Sequence, residues 1–296
     1  MKRDGLFFLH PWVTFIYFAL ILGFSMAFRH PMYQAASFFG ALIYAMLAQG
    51  KKAAAFTLKY ALPVIFLTAF INPAFNHAGV TVLTYLPSGN PLTAESVLYG
   101  ISSGVMFSCV ILWFLNFNRV MTSDKLICLF GRVVPILSLL LSMTLRFIPK
   151  FKKTLNEIRQ SQDCICINSE EERNPLKRLK RTFTVFSAAV TYSLEGAVDT
   201  SDSMKSRGYG LGSRTCFSLY TFRVSDGIFL SVSVFLAVVT FVAALFNFTA
   251  VRFFPSVSVI KQNALSVFLF MFYAAFCFLP AILTAVLNKR LKRAGL

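Results

Sequence analysis

The fold of this chain is decided by long uncharged stretches, of which residues 227–251 read GIFLSVSVFLAVVTFVAALFNFTAV. This stretch is longer than the ~20 residues that an α-helix needs to cross the hydrocarbon core of a bilayer. The other long runs without Lys or Arg cover residues 5–28, 30–50, 60–118 and 262–288. Together with 56% apolar residues and only 14% charged ones, these runs predict an integral membrane protein.

Six membrane-spanning helices are predicted from these runs. They cover approximately residues 12–28, 32–48, 53–71, 95–118, 227–248 and 264–287. Basic clusters lie before the first span, after the second and after the sixth, at residues 2–3, 51–52 and 289–293. Because short loops rich in Lys and Arg remain on the cytoplasmic side, both termini are expected to be cytoplasmic.

The loop between the third and fourth spans contains no Lys or Arg, as expected of an external loop. Its segment Val80–Leu86 is β-branched and aromatic, which predicts a short hairpin. His77 in the same loop could suggest a metal site. A single histidine beside Asn76 is more typical of a structural hydrogen bond, and no metal is expected.

Charge and cysteine content exclude several other classes of protein. The formal net charge is 29 − 12 = +17, which in a membrane protein reflects cytoplasmic basic loops and an anionic lipid surface. The 34 phenylalanines lie mainly in the spans, so nucleic-acid binding through stacking aromatics is not expected. Cys164 and Cys166 lack the second pair that a zinc site needs, and no cofactor is expected.

The middle of the chain differs from the rest. Residues 126–147 are apolar but contain Arg132 and have basic residues on both sides, which predicts a helix in or near the membrane that need not cross it. Amphipathic helices then follow to Arg207. One repeats its inward-facing positions at Ile148, Phe151, Leu155, Ile158, Gln162 and Ile165, and another has an apolar stripe at Leu176, Leu179, Phe183, Phe186 and Val190. Residues 146–214 hold 13 of the 29 Lys and Arg and 8 of the 12 Asp and Glu.

The predicted fold class is therefore an all-α integral membrane protein with about six transmembrane helices and a cytoplasmic amphipathic helical module. Its expected domains are residues 1–125 (N-terminal transmembrane helices), 126–215 (membrane-associated and cytoplasmic helices) and 216–296 (a C-terminal transmembrane pair and basic tail).

The last helix of the module is predicted as a separate helix over residues 193–207, and it ends in an unusual sequence, EGAVDTSDSMKSRGYG, residues 195–210. Glu195, Asp199 and Asp202 are spaced i, i+4 and i+7, so their carboxylates share one helical face. Gly208 is placed to adopt the left-handed conformation that ends many helices, which leaves Arg207 at the tip. Taken alone, this pattern is also typical of an ordinary solvated helix end.

No catalytic constellation is visible in the sequence, and an enzyme is not expected. Walker-type Gly-rich loops, His-Glu-x-x-His and Gly-x-Ser-x-Gly are absent. A self-contained transporter should carry buried ionisable groups or an internal repeat, and only Glu95, near a span end, approaches this. The membrane half therefore resembles a platform, and the charged half a docking surface for a cytoplasmic partner.

The segment Ser203–Gly210 resembles the second of two short Arg-Gly coupling motifs in the transmembrane (T) component of energy-coupling factor transporters, within the cobalt-transport permease family. The family's outer loop is similar to Asn72–Gly79 and Gly89–Thr93, and Leu145–Pro149 is similar to the start of its coupling helices. The similarity extends over most of residues 12–215.

This resemblance implies a subunit of a bacterial cell-membrane uptake system that has four parts. The T component would join two cytoplasmic ATPases of the ABC type to a substrate-binding membrane (S) subunit that selects a vitamin or a metal ion. Arg207 would insert into a groove of one ATPase. The residues implied in this contact are Met204, Ser206, Arg207, Gly208 and Tyr209.

One departure from the family pattern concerns the first Arg-Gly motif, which should follow Gln162. Ile165 and Cys166 stand there instead. The first ATPase is then contacted by other groups, or the two ATPases are engaged unequally, or the segment is a diverged helix end without a special role. All three interpretations are open at this stage.

The main alternative function is an autonomous membrane permease or channel with a cytoplasmic regulatory module. Flux through liposomes that contain this chain alone, without ATP, would identify it. A membrane-embedded enzyme would need polar catalytic groups around a cavity, and the sequence offers no such set.

Overall fold

The structure is a computed structural model that describes residues 5–85, 91–133, 135–165, 175–209, 220–246, 251–254, 258–259 and 264–293. The chain forms two compact units. The first combines the residues up to Leu126 with those from Tyr220 onward, and the second is Ile127–Leu219.

Helices make up nearly all of the described chain. They are α1 (Pro11–Ala27), α2 (Pro31–Gln49), α3 (Lys51–Phe56), α4 (Leu62–Phe75), α5 (Ala94–Val120), α6 (Ser123–Val133), α7 (Pro135–Ile165), α8 (Pro175–Ser206), α9 (Val224–Leu245) and α10 (Ala264–Arg293). A 3₁₀ turn, Gly5–Phe8, precedes α1, and a π-helical turn, Thr57–Ala61, joins α3 to α4.

Two short antiparallel pairs complete the described elements. Strand β1 (Val82–Tyr85) pairs with β2 (Pro91–Thr93), and β3 (Val251–Arg252) pairs with β4 (Ser258–Val259). The first pair confirms the hairpin predicted between the third and fourth spans.

The prediction of an all-α membrane protein is confirmed. In the described ranges, five helices are long and apolar enough to cross a membrane, and α1 is a shorter apolar helix of 17 residues. The five are Pro31–Gln49, Lys51–Phe75, Ala94–Val120, Val224–Leu245 and Ser266–Lys289. With α1 they correspond to the six spans predicted from the sequence.

The first two membrane helices begin in the same way, at a His-Pro pair. The Nδ1 atoms of His10 and His30 accept hydrogen bonds from the backbone N–H groups two residues later, at 3.3 Å in both cases. The following prolines occupy the first helical turn, where a missing N–H is not needed. Burial lowers the pKa of His30, which favours the neutral ring that this Nδ1 acceptor requires.

Helix α5 lies at the centre of the first unit and contacts α1, α2 and α4. Trp113 is fully buried, and its Nε1 donates a hydrogen bond of 2.9 Å to Ser37 Oγ of α2. Asn116 Nδ2 donates to the backbone oxygen of Ala41 at 3.1 Å. In a bilayer, such bonds hold helices in register because an unpaired polar group would face hydrocarbon.

Close approach of α4 to α5 depends on two glycines, Gly100 and Gly104. A Cβ atom at Gly100 would lie 2.9 Å from the carbonyl oxygen of Thr68, and one at Gly104 would lie 2.9 Å from Cα of Ile65. These are backbone atoms, which can move away only if helix α4 itself shifts. The spacing of the glycines is the small-xxx-small pattern that lets membrane helices pack closely.

The middle of the chain differs from the prediction in two respects. Residues 126–147 do not form one continuous helix, because Ser138 Oγ in α7 donates a hydrogen bond of 3.3 Å to the carbonyl oxygen of Ile127 in α6. Residues eleven positions apart on one helix would be separated by about 16 Å along its axis. Conversely, α8 is a single helix of 32 residues, whereas the sequence predicts two helices with the second beginning at Ser193. No proline interrupts that stretch, so one helix continues through it.

We expect Gly104→Val to destabilise the first unit by about 1–3 kcal/mol, because the new side chain would force α4 and α5 apart. The measurement is the midpoint of thermal unfolding in detergent. Gly23→Val is the matched control, since a Cβ at Gly23 meets nothing within 4 Å. Equal midpoints for the two variants would show that the α4–α5 contact is not tight.

Candidate functional site

The C-terminal end of α8 is closed by a complete glycine cap. The N–H of Tyr209 donates to the carbonyl oxygen of Met204 at 3.1 Å, and the N–H of Gly208 donates to that of Lys205 at 2.9 Å. Gly208 has φ 76°, in the left-handed region that glycine adopts without a steric penalty. This hydrogen-bond pattern is the Schellman motif, so the cap predicted at Gly208 is present.

Arg207 occupies the junction between helix and cap, and its side chain is exposed. Within the described part of the chain it makes no ion pair. The neighbouring polar groups are occupied locally: Ser206 Oγ donates to the carbonyl oxygen of Ser203 at 2.9 Å, and Lys205 pairs with Asp202 at 3.5 Å. The guanidinium is thus presented to solvent from a fixed backbone.

The acidic residues predicted to share a face all lie on α8. Glu195, Asp199 and Asp202 are exposed. Because they follow one another at i, i+4 and i+7 on a continuous helix, they form a negative strip that leads toward Arg207. The end of α8 therefore presents an acidic face followed by a single arginine at the tip.

The predicted position of the first Arg-Gly motif lies at the end of α7. Gln162 is half-buried, α7 is described as far as Ile165, and Cys166 lies outside the described residues. Asp163, next to Gln162, forms an ion pair with Arg181 of α8. This pair joins the last turn of α7 to α8, and the sequence did not reveal it because the partners are 18 residues apart.

Helices α7 and α8 pack against each other within the second unit. Most of the stripe predicted on α7 faces inward, since Phe151, Leu155 and Ile158 are half-buried. Its first residue, Ile148, is 60% exposed. On α8 the buried residues are Val185 and Ala189. Of the stripe predicted on α8, Val190 is half-buried and the other four residues are exposed: Leu176, Leu179, Phe183 and Phe186.

The outer-loop residues that resemble the family motif are tied together at the start of α5. Glu95 is 4% exposed and accepts a 2.7 Å hydrogen bond from Thr81 Oγ1. Thr93 Oγ1 donates to the carbonyl oxygen of Ala78 at 3.0 Å, and Ser96 Oγ donates to that of Asn76 at 2.7 Å. Glu95 therefore has a structural hydrogen-bonding role in this loop.

No cluster of three or more His, Cys, Asp or Glu side chains suited to a metal ion occurs among the residues that the structure describes. His77 lies in the outer loop, outside any such group.

A second cluster of charged groups, which sequence reasoning missed, lies in the first unit. Lys125, in the first turn of α6, is 1% exposed, and its Nζ donates to the carbonyl oxygen of Leu6 at 3.4 Å. Asp226, in the first turn of α9, is 2% exposed and accepts from the backbone N–H groups of Arg223 at 2.9 Å and His10 at 3.4 Å.

Burial lowers the pKa of Lys125 to about 8, and the attraction of Asp226 opposes that shift. The Nζ atom also lies 5.2 Å from the ring centre of Phe7, a distance typical of a cation–π contact. The only sequence signal is that Lys125 lies seven residues after the predicted span 95–118, a position typical of an ordinary cytoplasmic charge. Its burial depends on contacts with segments that are distant in sequence.

The fold and the apolar helices define a multi-pass membrane protein. The sequence profile of the family described as cobalt transport protein (CbiQ) matches residues 9–217. The match covers 209 of the 296 residues, so the chain belongs to this family. This is a family of transport proteins, and the resemblance to T components of energy-coupling factor transporters is thereby confirmed. A comparison with characterised proteins finds no match.

We expect the wild-type protein to gain stability relative to Lys125→Met as the pH rises from about 8 to 10. The pKa of Lys125 is lower in the folded chain than its ordinary value of 10.5. Between the two values the unfolded chain binds more protons, and stability therefore rises with pH. The measurement is the difference between the thermal midpoints of the two proteins across this range. A difference that does not vary with pH would show that Lys125 is not desolvated.

Proposed function

We propose that this chain is the T component of an energy-coupling factor uptake transporter, and that the tip of α8 binds a cytoplasmic ABC-type ATPase. The observation that carries the proposal is the exposed Arg207, held between the last turn of α8 and the cap at Gly208. The family match ends at residue 217, shortly after this tip, so it includes the whole of the proposed contact.

The side chain of Arg207 is suited to a strong contact with a carboxylate of the proposed ATPase. Its guanidinium is planar and always charged, and it can bind a carboxylate through two parallel hydrogen bonds. The capped backbone fixes where the side chain begins, which reduces the entropy lost on binding. Tyr209 is 41% exposed and Met204 is half-buried, so apolar surface is also available beside the charge.

Helix α8 is long and continuous enough to transmit a displacement from its tip through the second unit. A helix of 32 residues is about 48 Å long at ~1.5 Å per residue. A rigid helix of this length can transmit a displacement at one end to the other, as closure of the ATPases on nucleotide would require. The chain itself would perform no chemistry, and ATP hydrolysis would take place in the partner subunits.

A separate membrane subunit would bind the cargo in this arrangement. The cargo is a vitamin or a metal ion, and the description of the matched family favours the metal ion. The complex would lie in a bacterial cell membrane with both termini of this chain in the cytoplasm, in agreement with the basic clusters at residues 51–52 and 289–293.

The two ATPases would be engaged unequally. The tip of α8 carries Arg207, whereas α7 ends at Ile165 in place of the first arginine. Asp163 is engaged with Arg181 inside the second unit. We therefore assign the dominant ATPase contact to α8.

Arg207→Ala should weaken attachment of the ATPases by about 2–5 kcal/mol, the effect of truncating one partner of a buried interfacial charge pair. The measurement is the amount of ATPase that co-purifies with this chain from membranes, together with uptake by the assembled complex. Arg207→Lys should give an intermediate loss, because a lysine keeps the charge but not the two-point geometry.

Lys205→Ala is the matched control for this test. It removes a positive charge from the same helical turn, and its only described ion pair is the surface contact with Asp202, which is worth little. If the Arg207→Ala and Lys205→Ala variants co-purify with equal amounts of ATPase, the role assigned to Arg207 is refuted.

Restoring the first motif with Ile165→Arg and Cys166→Gly should strengthen ATPase attachment by about tenfold, because a second charge-assisted contact would form. The measurement is the ratio of ATPase to this chain after purification, compared with Cys164→Gly as a control at the same helix end. An unchanged ratio would indicate that other groups already make the first contact.

A further inference from the structure

The chain passes from the first unit to the second at Leu126 and returns to the first at Tyr220. A buried charged side chain lies near each of these crossings, on the side of the first unit. Lys125 directly precedes Leu126 and is 1% exposed, and Asp226 follows Tyr220 by six residues and is 2% exposed. A buried charge is costly unless its partners are held in place. Both crossings therefore contain a group that needs a defined arrangement of neighbours.

The N-terminal segment, Gly5–His10, supplies partners to both charges. The Nζ atom of Lys125 donates to the carbonyl oxygen of Leu6 at 3.4 Å. The backbone N–H of His10 donates to Oδ1 of Asp226, also at 3.4 Å. Leu6 and His10 are four residues apart, so one short piece of chain contacts the charged groups of both crossings.

Aromatic rings add contacts at the same two places. The ring of Phe7 lies 5.2 Å from Nζ of Lys125, within the range of a cation–π contact. The ring of His10 packs edge-on against that of Phe222, with 5.7 Å between ring centres. Phe222 lies between Tyr220 and the start of α9. The N-terminal segment thus contacts the first crossing through Leu6 and Phe7, and the second through His10.

The N-terminal segment is itself fixed on a membrane helix. The N–H of Gly5 donates to Thr284 Oγ1 of α10 at 3.3 Å. A Cβ atom at Gly5 would lie 3.0 Å from Cδ1 of Leu287 and 3.3 Å from Cα of Thr284, so the segment packs closely on α10. Leu6 is fully buried. The two crossings are therefore held against the membrane helices through a rigid base.

We propose that the N-terminal segment is a clamp that fixes both crossings, and that Lys125 and Asp226 are positioning residues which keep the clamp closed when the second unit is displaced. This inference rests on the proposed function, since it is the ATPases that would displace the second unit. A displacement reaches the membrane helices through a crossing that is rigid. At a loose crossing, local opening of the connecting chain absorbs it.

Helix α5 leads from the clamp to the outer loop. It ends at Val120, five residues before Lys125, and begins at Ala94. Val120 is fully buried. At the other end, Glu95 holds the loop through its hydrogen bond with Thr81. A displacement that the clamp passes to the end of α5 would therefore change the exposure of the outer loop.

The first test uses the full chain alone in nanodiscs, with hydrogen exchange measured by mass spectrometry. Lys125→Met should accelerate exchange of residues 6–10 and 222–227 about tenfold, the effect of losing a hydrogen bond to a charged group. Asp226→Asn should accelerate exchange of residues 121–126, because an amide side chain has one acceptor oxygen in place of two. Unchanged exchange at these distant segments would show that no clamp exists.

A double variant and a control separate the clamp from a general loss of stability. Lys125→Met combined with Asp226→Asn should cause less acceleration than the sum of the two single variants, because no buried charge is then left without its partner. The control is Ser102→Ala, which removes a buried hydrogen bond of 2.9 Å to Gln34 in the same unit. Equal acceleration in the control, or summed effects in the double variant, would overturn the proposal.

The second test uses the assembled complex, purified from membranes through a tag on this chain. Exchange of outer-loop residues 76–85 is compared without nucleotide and with ATP and orthovanadate. In the wild type, nucleotide should change this exchange. Lys125→Met should keep the full amount of co-purifying ATPase, because Arg207 is intact, but should lose most of the response to nucleotide. Ser102→Ala should retain both.

The outcomes distinguish failure of the clamp from failure of the proposed function. If no ATPase co-purifies with the wild-type chain, the proposed function is wrong. If ATPase is attached but nucleotide has the same effect in the wild type and in Lys125→Met, or no effect in the wild type, the proposed function survives and the clamp has no part in coupling.

Discussion

The first unit depends on one constraint, which is that polar groups inside a membrane must find partners among the helices themselves. Helix α5 meets this constraint on several sides. Ser108 Oγ donates to the carbonyl oxygen of Ala61 at 2.8 Å, Trp113 bonds Ser37 of α2, and Asn116 bonds the backbone of Ala41. Each such bond is worth about 0.6–2 kcal/mol, and sliding α5 along α2 would break two of them together. The bundle is thus a fixed platform.

Local features of the sequence predicted much of this platform. The length of an apolar stretch identifies a membrane helix because the thickness of the bilayer sets the length required. Gly208 marks a helix end because glycine has no Cβ atom and therefore adopts the left-handed conformation of the cap. The sequence did not predict the division between α6 and α7, because an apolar stretch flanked by basic residues fits one helix or two. The contacts of Lys125 and Asp226 were missed for a different reason. They join residues that are 119 and 216 positions apart in the sequence, and neither residue type is expected to be buried.

The exposed stripe on α8 shows what periodicity can and cannot indicate. Spacing of three and four residues correctly identifies an apolar face, but it does not reveal whether that face packs against the same chain. In α7 the predicted stripe is half-buried from Phe151 to Gln162, although Ile148 is exposed. In α8 the residues that pack are the small Val185 and Ala189, and the larger side chains face outward. Small residues allow close contact between the two helices, which leaves Leu179 and Phe183 available for another surface.

The C-terminal ends of α7 and α8 differ in whether their charged side chains are paired within the second unit. Near the end of α7, Asp163 is bound to Arg181, so this charge contributes to holding the second unit together. At the end of α8, the backbone is closed by its own hydrogen bonds and Arg207 is left exposed. An ion pair within the unit resists separation of the two helices, so a load applied at the tip of α8 is shared by α7. Under the proposed function, replacement of the first arginine would then be tolerated, because α7 would support α8 without binding an ATPase as strongly itself.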